Sequence, residues 1–265
     1  MVISFLGTGT SHGIPVIACS CPVCHSADPR DARYRASILV KGDSGERILV
    51  DAGPEFRLQA LRAGIDRLDA MLLTHAHADH IHGLDDLRPL THNHVLPVYG
   101  NTHTIDELRE RFSYFFRPTQ RGGGKPKINE LVASKKFQIG GLTIRPIPIE
   151  HGRLEILGWT FSEGNRKAAY ITDASGIPPS SLRHLRHLDL LIVGALRERP
   201  HETHYSFSQA KALTDELAPK KALITHICHD HFHTEIETWF TGTSAGPAWD
   251  GLEVDVGAIR NATRP

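Results

Sequence analysis

The chain has 265 residues, 30 Lys and Arg against 30 Asp and Glu, and 40 % hydrophobic side chains. That balance suits a folded globular protein and excludes disordered or collagen-like chains. A formal net charge of zero also argues against a surface built to neutralise many phosphates, so long nucleic acid and anionic membrane are not expected partners, while a local basic pocket stays compatible.

The first apolar run, Val2–Leu6, stops at Gly7-Thr8-Gly9-Thr10. It lacks a basic leader and is too short for a signal segment, and no apolar run elsewhere is long enough for a bilayer, so a cytoplasmic protein is expected. Cys19-Ser-Cys21-Pro-Val-Cys24 gathers three of the four cysteines, Cys228 being the fourth. Such crowding suits a metal site in a reducing compartment better than a disulfide framework. Ser37–Val40, Ile48–Val50 before Asp51-Ala-Gly53, and Ala70–Leu73 before Thr74-His75 read as buried strands whose carboxyl ends open into loops. Helices are predicted over Pro54–Ala63, closed by Gly64, and over Thr102–Phe112. An insertion over about 113–128 joins Tyr114-Phe-Phe116 to the glycine-rich Arg121–Pro126, and reads either as a mobile lid or as a surface loop beside a buried helix end.

The second half repeats the habit. Leu142–Ile149 ends at His151, Ala168–Ile171 at Asp173, Leu188–Val193 at Gly194, and Ala222–Ile224 at Thr225-His226. Helices fall at Pro179–Leu185 and Ser206–Leu217, the latter capped by Ser206 and stopped by Pro219. Alternation in both halves predicts a single α/β domain over 1–265 with two sheets between helices, although pattern alone does not separate this from a doubly wound parallel sheet.

The anomaly is 18 histidines. Thr74-His75-Ala-His77-Ala-Asp79-His80 puts three imidazoles and a carboxylate in one short stretch after a strand, where a tight loop can fan alternate side chains towards one point. Imidazole and carboxylate together suit zinc, manganese or iron. A two-metal site needs distant partners, and His151, Asp173 and His226 each stand at the end of their own apolar run.

With these residues in place the sequence resembles the metallo-β-lactamase superfamily over nearly its whole length. The resemblance implies a four-layer αββα sandwich, one divalent metal on His75, His77 and His151, a second on Asp79, His80 and His226, and Asp173 bridging them. Asp51 matches an early strand-end aspartate that orients a ligand histidine, or else is an ordinary turn residue. The run Leu6-Gly-Thr-Gly-Thr-Ser-His-Gly-Ile-Pro15, followed by the cysteine loop of about 19–24, is similar to the PhnP-like phosphodiesterase branch. That branch implies a separate structural zinc on Cys19, Cys21, Cys24 and His229, with Cys228 as the alternative fourth ligand. His231 and His233 are taken as surface residues.

The function this implies is hydrolysis of a small cyclic phosphodiester, of the cyclic ribose phosphate or 2′,3′-cyclic nucleotide class, by a hydroxide held between two Mn²⁺ or Zn²⁺ ions. Asp79 and His204 are the implied catalytic residues, with His204 as general acid and His201 as its rival. Thr8, Thr10 and Ser11 are candidates for hydrogen bonds to a substrate phosphate, or form a plain connector; Arg88 binds phosphate or makes a surface salt bridge. A tRNase Z-like RNA 3′-processing nuclease and a PqqB-like cofactor-biosynthesis protein are the alternatives, and a homodimer is left open.

Overall fold

A computed structural model describes residues 1–118 and 124–260. Two seven-stranded mixed sheets face each other. In chain order the strands are β1 (Val2–Gly7), β2 (Ser37–Lys41), β3 (Arg47–Val50), β4 (Ala70–Leu72), β5 (Leu96–Gly100), β6 (Ile128–Val132), β7 (Phe137–Ile139), β8 (Leu142–His151), β9 (Leu154–Glu163), β10 (Arg166–Ile171), β11 (Leu190–Gly194), β12 (Lys221–Thr225), β13 (Ala245–Pro247) and β14 (Glu253–Asp255). The helices are α1 (Phe56–Arg62), α2 (Ala78–Ile81), α3 (Thr102–Arg111), α4 (Ser113–Phe116), α5 (Pro179–Leu182), α6 (Phe207–Leu217) and α7 (His233–Trp239). The first sheet runs β14-β1-β2-β3-β4-β5-β6 and the second β13-β12-β11-β10-β9-β8-β7.

Why the strands read as continuous apolar runs is plain from their two faces. In β10, Ala168 and Tyr170 enter the core between the sheets with Ile3, Phe5, Val50 and Trp159, while Ala169 and Ile171 point outward beneath α6 with Phe207 and Ala210. On the first sheet, Leu49, Met71 and Val98 face outward against Phe56 and Leu108 of α1 and α3. Alternation sends every second side chain to each face, so a strand covered on both sides must be apolar throughout. Three apolar layers between four layers of structure make the αββα sandwich. Ser206 caps α6 by accepting from Gln209 N, and Gln209 returns the bond to Ser206 N, as its sequence position predicts.

The register carries the strand ends to one edge. β3, β4 and β5 run parallel, as do β10, β11 and β12. The loops after β4, β8, β10 and β12 therefore open beside one another, where α/β sheets place ligands. Gly53 and Gly83 lock this edge backbone to backbone: a Cβ on either would collide with the carbonyl of Asp79 or of Gly53. Among the described residues, no helix is long and apolar enough to cross a membrane.

Two expectations about chain organisation change. The stretch after β4 is not all loop, since Asp79 and His80 sit on the short helix α2. Within the 113–128 insertion, 113–116 forms α4 and β6 begins at Ile128, while 119–123 lie outside the described residues.

Candidate metal centre

His75, His77 and His151 bring one ligand nitrogen each within 4.8 Å of one another, and Asp79, His80, Asp173 and His226 do the same with one atom each. Asp173 also groups with His151 and His204, so its carboxylate lies between the two clusters. The structure thus brings together all seven side chains singled out from the sequence. His80 Nε2 stands 3.2 Å from Asp79 Oδ2 and 3.5 Å from Asp173 Oδ1, and His226 Nε2 stands 3.1 Å from Asp173 Oδ2.

The strand ends pay for this convergence in backbone strain. Asp51, Asp173 and His226 hold φ of 61°, 54° and 55°. Left-handed backbone is disfavoured for residues with a Cβ and gathers at functional sites. Backbone bonds brace the edge: Ala52 N donates to His80 O at 2.7 Å, Leu157 N to Thr74 O at 2.9 Å, and Ile227 N to Thr8 O at 2.9 Å.

His80 and His151 are each turned by a partner on the far nitrogen. Asp51, fully buried, accepts from Thr74 N at 2.9 Å and Thr74 Oγ1 at 2.8 Å and holds His80 Nδ1 at 2.7 Å. His151 Nδ1 donates to Thr203 O at 2.8 Å, which leaves Nε2 as the free acceptor. Such outer bonds fix tautomer and direction of metal-binding histidines.

The donor set fits a pair of cations. Among the described residues His80 Nε2 and His226 Nε2 meet carboxylate oxygens at 3.1–3.8 Å without a well-directed hydrogen bond, and buried His226 Nδ1 has no partner, a costly state for polar atoms unless something else binds them. Burial, then the neighbouring His80 charge, pushes His75 well below the usual imidazole range; burial and His151 lower His77. Both therefore rest neutral, as ligands must. Burial opposes ionisation of Asp79 and Asp173, yet the surrounding histidines overcome it and hold both carboxyls below the ordinary range. Burial likewise opposes a charge on His80, but Asp79, Asp173 and Asp51 together raise it well above the ordinary value. Carboxylates crowded around one imidazole favour a positive charge there, whether a proton or a cation.

A second cluster lies outside this edge. His229 Nδ1 is 3.4, 3.4 and 3.5 Å from the sulfurs of Cys19, Cys21 and Cys24. A zinc–sulfur bond near 2.3 Å and a zinc–nitrogen bond near 2.0 Å at tetrahedral angles give a sulfur–nitrogen edge of roughly 3.5 Å, so the spacing suits one zinc. Val16 N, Cys21 N and Cys24 N aim at the sulfurs of Cys24, Cys19 and Cys21 at 3.3–3.5 Å, as thiolates require. Cys228 is buried outside the cluster, and burial pushes its thiol up to about 11.

Several single residues fall elsewhere than expected. His233 is buried rather than on the surface, because it opens α7, packs on Trp249 and donates its N–H to Asp31. Thr8 is buried, donates its hydroxyl to Asp250 Oδ1 at 2.8 Å and does not line the cleft of Thr10 and Ser11. Arg88 reaches Gly124 O at 3.4 Å and is exposed, making no salt bridge among the described residues. Thr10 and Ser11, by contrast, line a cleft of about 260 Å³ with His201, His204 and His226. His204 is ring-to-ring at 4.8 Å with both His151 and His226, and its Nδ1 is 3.8 Å from Asp173 Oδ2. His201 is exposed, 5.2 Å from His204. The cleft adds His12 and Arg197 to the candidates. Arg197 follows the carboxyl end of β11, so the strand-end rule that found Asp173 reaches it too.

The sequence model of the beta-lactamase superfamily domain matches residues 46–227. The chain belongs to the metallo-β-lactamase superfamily. The crystal structure of a new diphosphatase from the PhnP family superposes with a TM-score of 0.86 at 38 % identity, covering 96 % of this superfamily member and 97 % of that chain. An octanoyltransferase of Porphyromonas gingivalis (strain ATCC BAA-308 / W83) is 41 % identical over 226 residues, 84 % of this chain and 45 % of that one. A ribonuclease Z of Bradyrhizobium diazoefficiens is 32 % identical over 149 residues, 52 % of this chain and 48 % of the other. The present metallo-β-lactamase fold thus spans about half the length of these curated relatives.

Proposed function

We propose that the protein is a metal-dependent hydrolase of a small disubstituted phosphate, a cyclic phosphodiester foremost and a diphosphate second, working in the cytoplasm. The observation that carries this is the convergence of seven ligand side chains in two adjoining clusters, of which His226 also lines a cleft of about 260 Å³. Similarity to the PhnP-family diphosphatase supports phosphorus as the reacting centre.

His75, His77 and His151 would hold one divalent cation, Asp79, His80 and His226 the other, and Asp173 both, with Mn²⁺ or Zn²⁺ as the suited ions. Such a pair, when bound, polarises phosphoryl oxygens and lowers the pKa of water. Its four positive charges exceed the two negative charges of Asp79 and Asp173, so an anionic substrate is attracted. Thr10, Ser11 and Arg197 all line this cleft and would border a phosphate bound in it. His204 stands over the same cleft. Burial, then His226, pushes it down to about 3, so it rests neutral until an anionic substrate beside it favours the protonated ring. It then hands its proton to the leaving oxygen, a role worth about 10²–10⁴-fold. A structural zinc on Cys19, Cys21, Cys24 and His229 would tie the N-terminal loop to the strand end that carries His226.

A second reading, hydrolysis of an acyl ester or thioester, rests on the Porphyromonas relative named octanoyltransferase. One screen separates the two. Protein stripped with chelator and reloaded with Mn²⁺ or Zn²⁺ is given 2′,3′-cyclic nucleotides, bis-p-nitrophenyl phosphate, nucleoside diphosphates, tRNA precursors and octanoyl thioesters. Turnover on the first two, absent without metal, is the expected result; turnover confined to thioesters or to tRNA precursors overturns the proposal.

A further inference from the structure

The other end of the second sheet holds a polar face that the metal centre does not use. Thr143, Ser162 and Lys167 sit side by side across β8, β9 and β10, and Arg145 lies opposite Thr160 in the next row. Successive side chains alternate faces. These five therefore share the face opposite Ile144, Phe161 and Ala168, which fill the core between the sheets. Two residues further along the same face, Ile147 and Ile171 are buried in the apolar layer under the helices. The strands thus switch from polar to apolar within one face, although all of it lies on the helix-bearing side.

Those rows floor a cleft of about 340 Å³ that Lys136, Arg183 and His184 complete. Four of its lining residues are Lys or Arg, and among the described residues no Asp or Glu lines it. Lys136, Arg145 and Arg183 make no salt bridge among the described residues. Asp189, behind Lys167, is already taken by Lys220 at 2.7 Å and by the backbone N of Lys167 at 2.8 Å. Lys167 Nζ is fixed in place by His184 O and Arg186 O, each at 2.8 Å. Burial and then the charge of Arg145 hold Lys167 and His184 below their ordinary values, which shows how closely the positive groups crowd.

Like charges held together without a counter-charge repel, and a protein of zero net charge has no general reason to concentrate them. A tetrahedral oxyanion answers every group present: guanidinium forks and ammonium for its charge, Thr143 and Ser162 hydroxyls for its remaining lone pairs. We propose that this cleft binds a small phosphate-type oxyanion at a site separate from the metal centre. Arg145 precedes His151, and Lys167 precedes Asp173, by six residues of extended chain, about 20 Å at the rise of a strand, so an anion here touches none of the seven ligands. The site does not depend on the proposed phosphatase reading, and either can stand alone.

The test uses metal-loaded protein in equilibrium dialysis with radiolabelled inorganic phosphate and diphosphate, for the wild type, Arg145→Gln and Lys136→Gln. The expected result is one bound anion beyond any held by the metal centre, weakened about tenfold or more by Arg145→Gln. Turnover on bis-p-nitrophenyl phosphate stays within about twofold in both variants. If Arg145→Gln fails to fold, the double variant of the exposed Lys136 and Arg183 to Gln gives the same readout. Tighter binding of a 5′-nucleotide than of phosphate identifies a nucleotide phosphate as the source, and equal or weaker binding identifies the free anion; both uphold the site. Anion binding unchanged in these variants, or abolished by Asp173→Asn instead, overturns it.

Discussion

Replacing Asp51 by Asn removes one negative charge from beneath His80 while keeping the shape of the side chain. Its backbone φ of 61° suits Asn, which enters the left-handed region more readily than most residues, so no new strain is introduced. The Asn carbonyl can still accept from Thr74 N, but its NH₂ then faces His80 Nδ1, where a carboxylate oxygen stood at 2.7 Å. His80 must offer Nδ1 as acceptor and keep its proton on Nε2, the nitrogen 3.2 Å from Asp79 and 3.5 Å from Asp173. A cation must then compete with that proton. Loss of such a supporting carboxylate costs about 10–100-fold in metal affinity, or about 1.4–2.7 kcal/mol. Burial raises the Asp51 pKa while its contact with His80 lowers it, and the same carboxylate helps raise His80, so in metal-free protein the two titrate as one buried pair. Removing one partner of such a pair destabilises the fold, so the metal-free variant at pH 7 melts below the wild type. Competition against a chelating fluorophore measures the metal affinity. Affinity within twofold of the wild type would refute the orienting role of Asp51.

Three further outcomes are expected. His204→Ala retains its metal content by elemental analysis but loses about 10²–10⁴-fold in turnover, whereas full activity would move the proton-donating role to His201. Cys21→Ser loses one zinc per chain and melts earlier while the catalytic pair still loads; an unchanged zinc count removes the structural site from the account. The Asp250 side chain, 5 % exposed, is pushed up to about 6 from an ordinary 3.8 by burial, so its stabilising contribution is complete below the unfolded value and disappears as pH rises through 6. Urea unfolding should find Asp250→Asn gaining about 3 kcal/mol on the wild type between pH 4 and pH 7, and a difference flat across that range contradicts the assignment.

Much of this was readable in the residues because chemistry sits where apolar runs stop. His151 closes β8, and Asp173 and His226 stand just past β10 and β12, each at the end of a mainly apolar stretch, so the end of the stretch marks where the ligand falls. What escaped has a common cause, contacts made far away in sequence. His231 and His233 continue a histidine-rich stretch, and nothing local tells that Trp249 and Asp31 bury the second. Thr8 looks free in a glycine loop until Asp250, 242 residues later, takes its hydroxyl. Strand β9 was not expected, since Gly158 and its polar residues blur a ladder whose partners lie on β8 and β10. Arg33, 1 % exposed, joins Asp31 to the carbonyl of Cys228 and so ties the segment after the cysteine loop to the loop after β12; an arginine in a charged stretch gives no hint of that burial.

Whether the seven side chains hold two cations side by side is visible directly by anomalous diffraction from crystals of Mn²⁺-loaded protein, recorded at the manganese edge. Two peaks roughly 3.5–4 Å apart are expected, one against His75, His77 and His151, the other against Asp79, His80 and His226, with Asp173 between them. A single peak at full loading, or a pair that leaves Asp173 or His226 outside the coordination sphere, would contradict that arrangement.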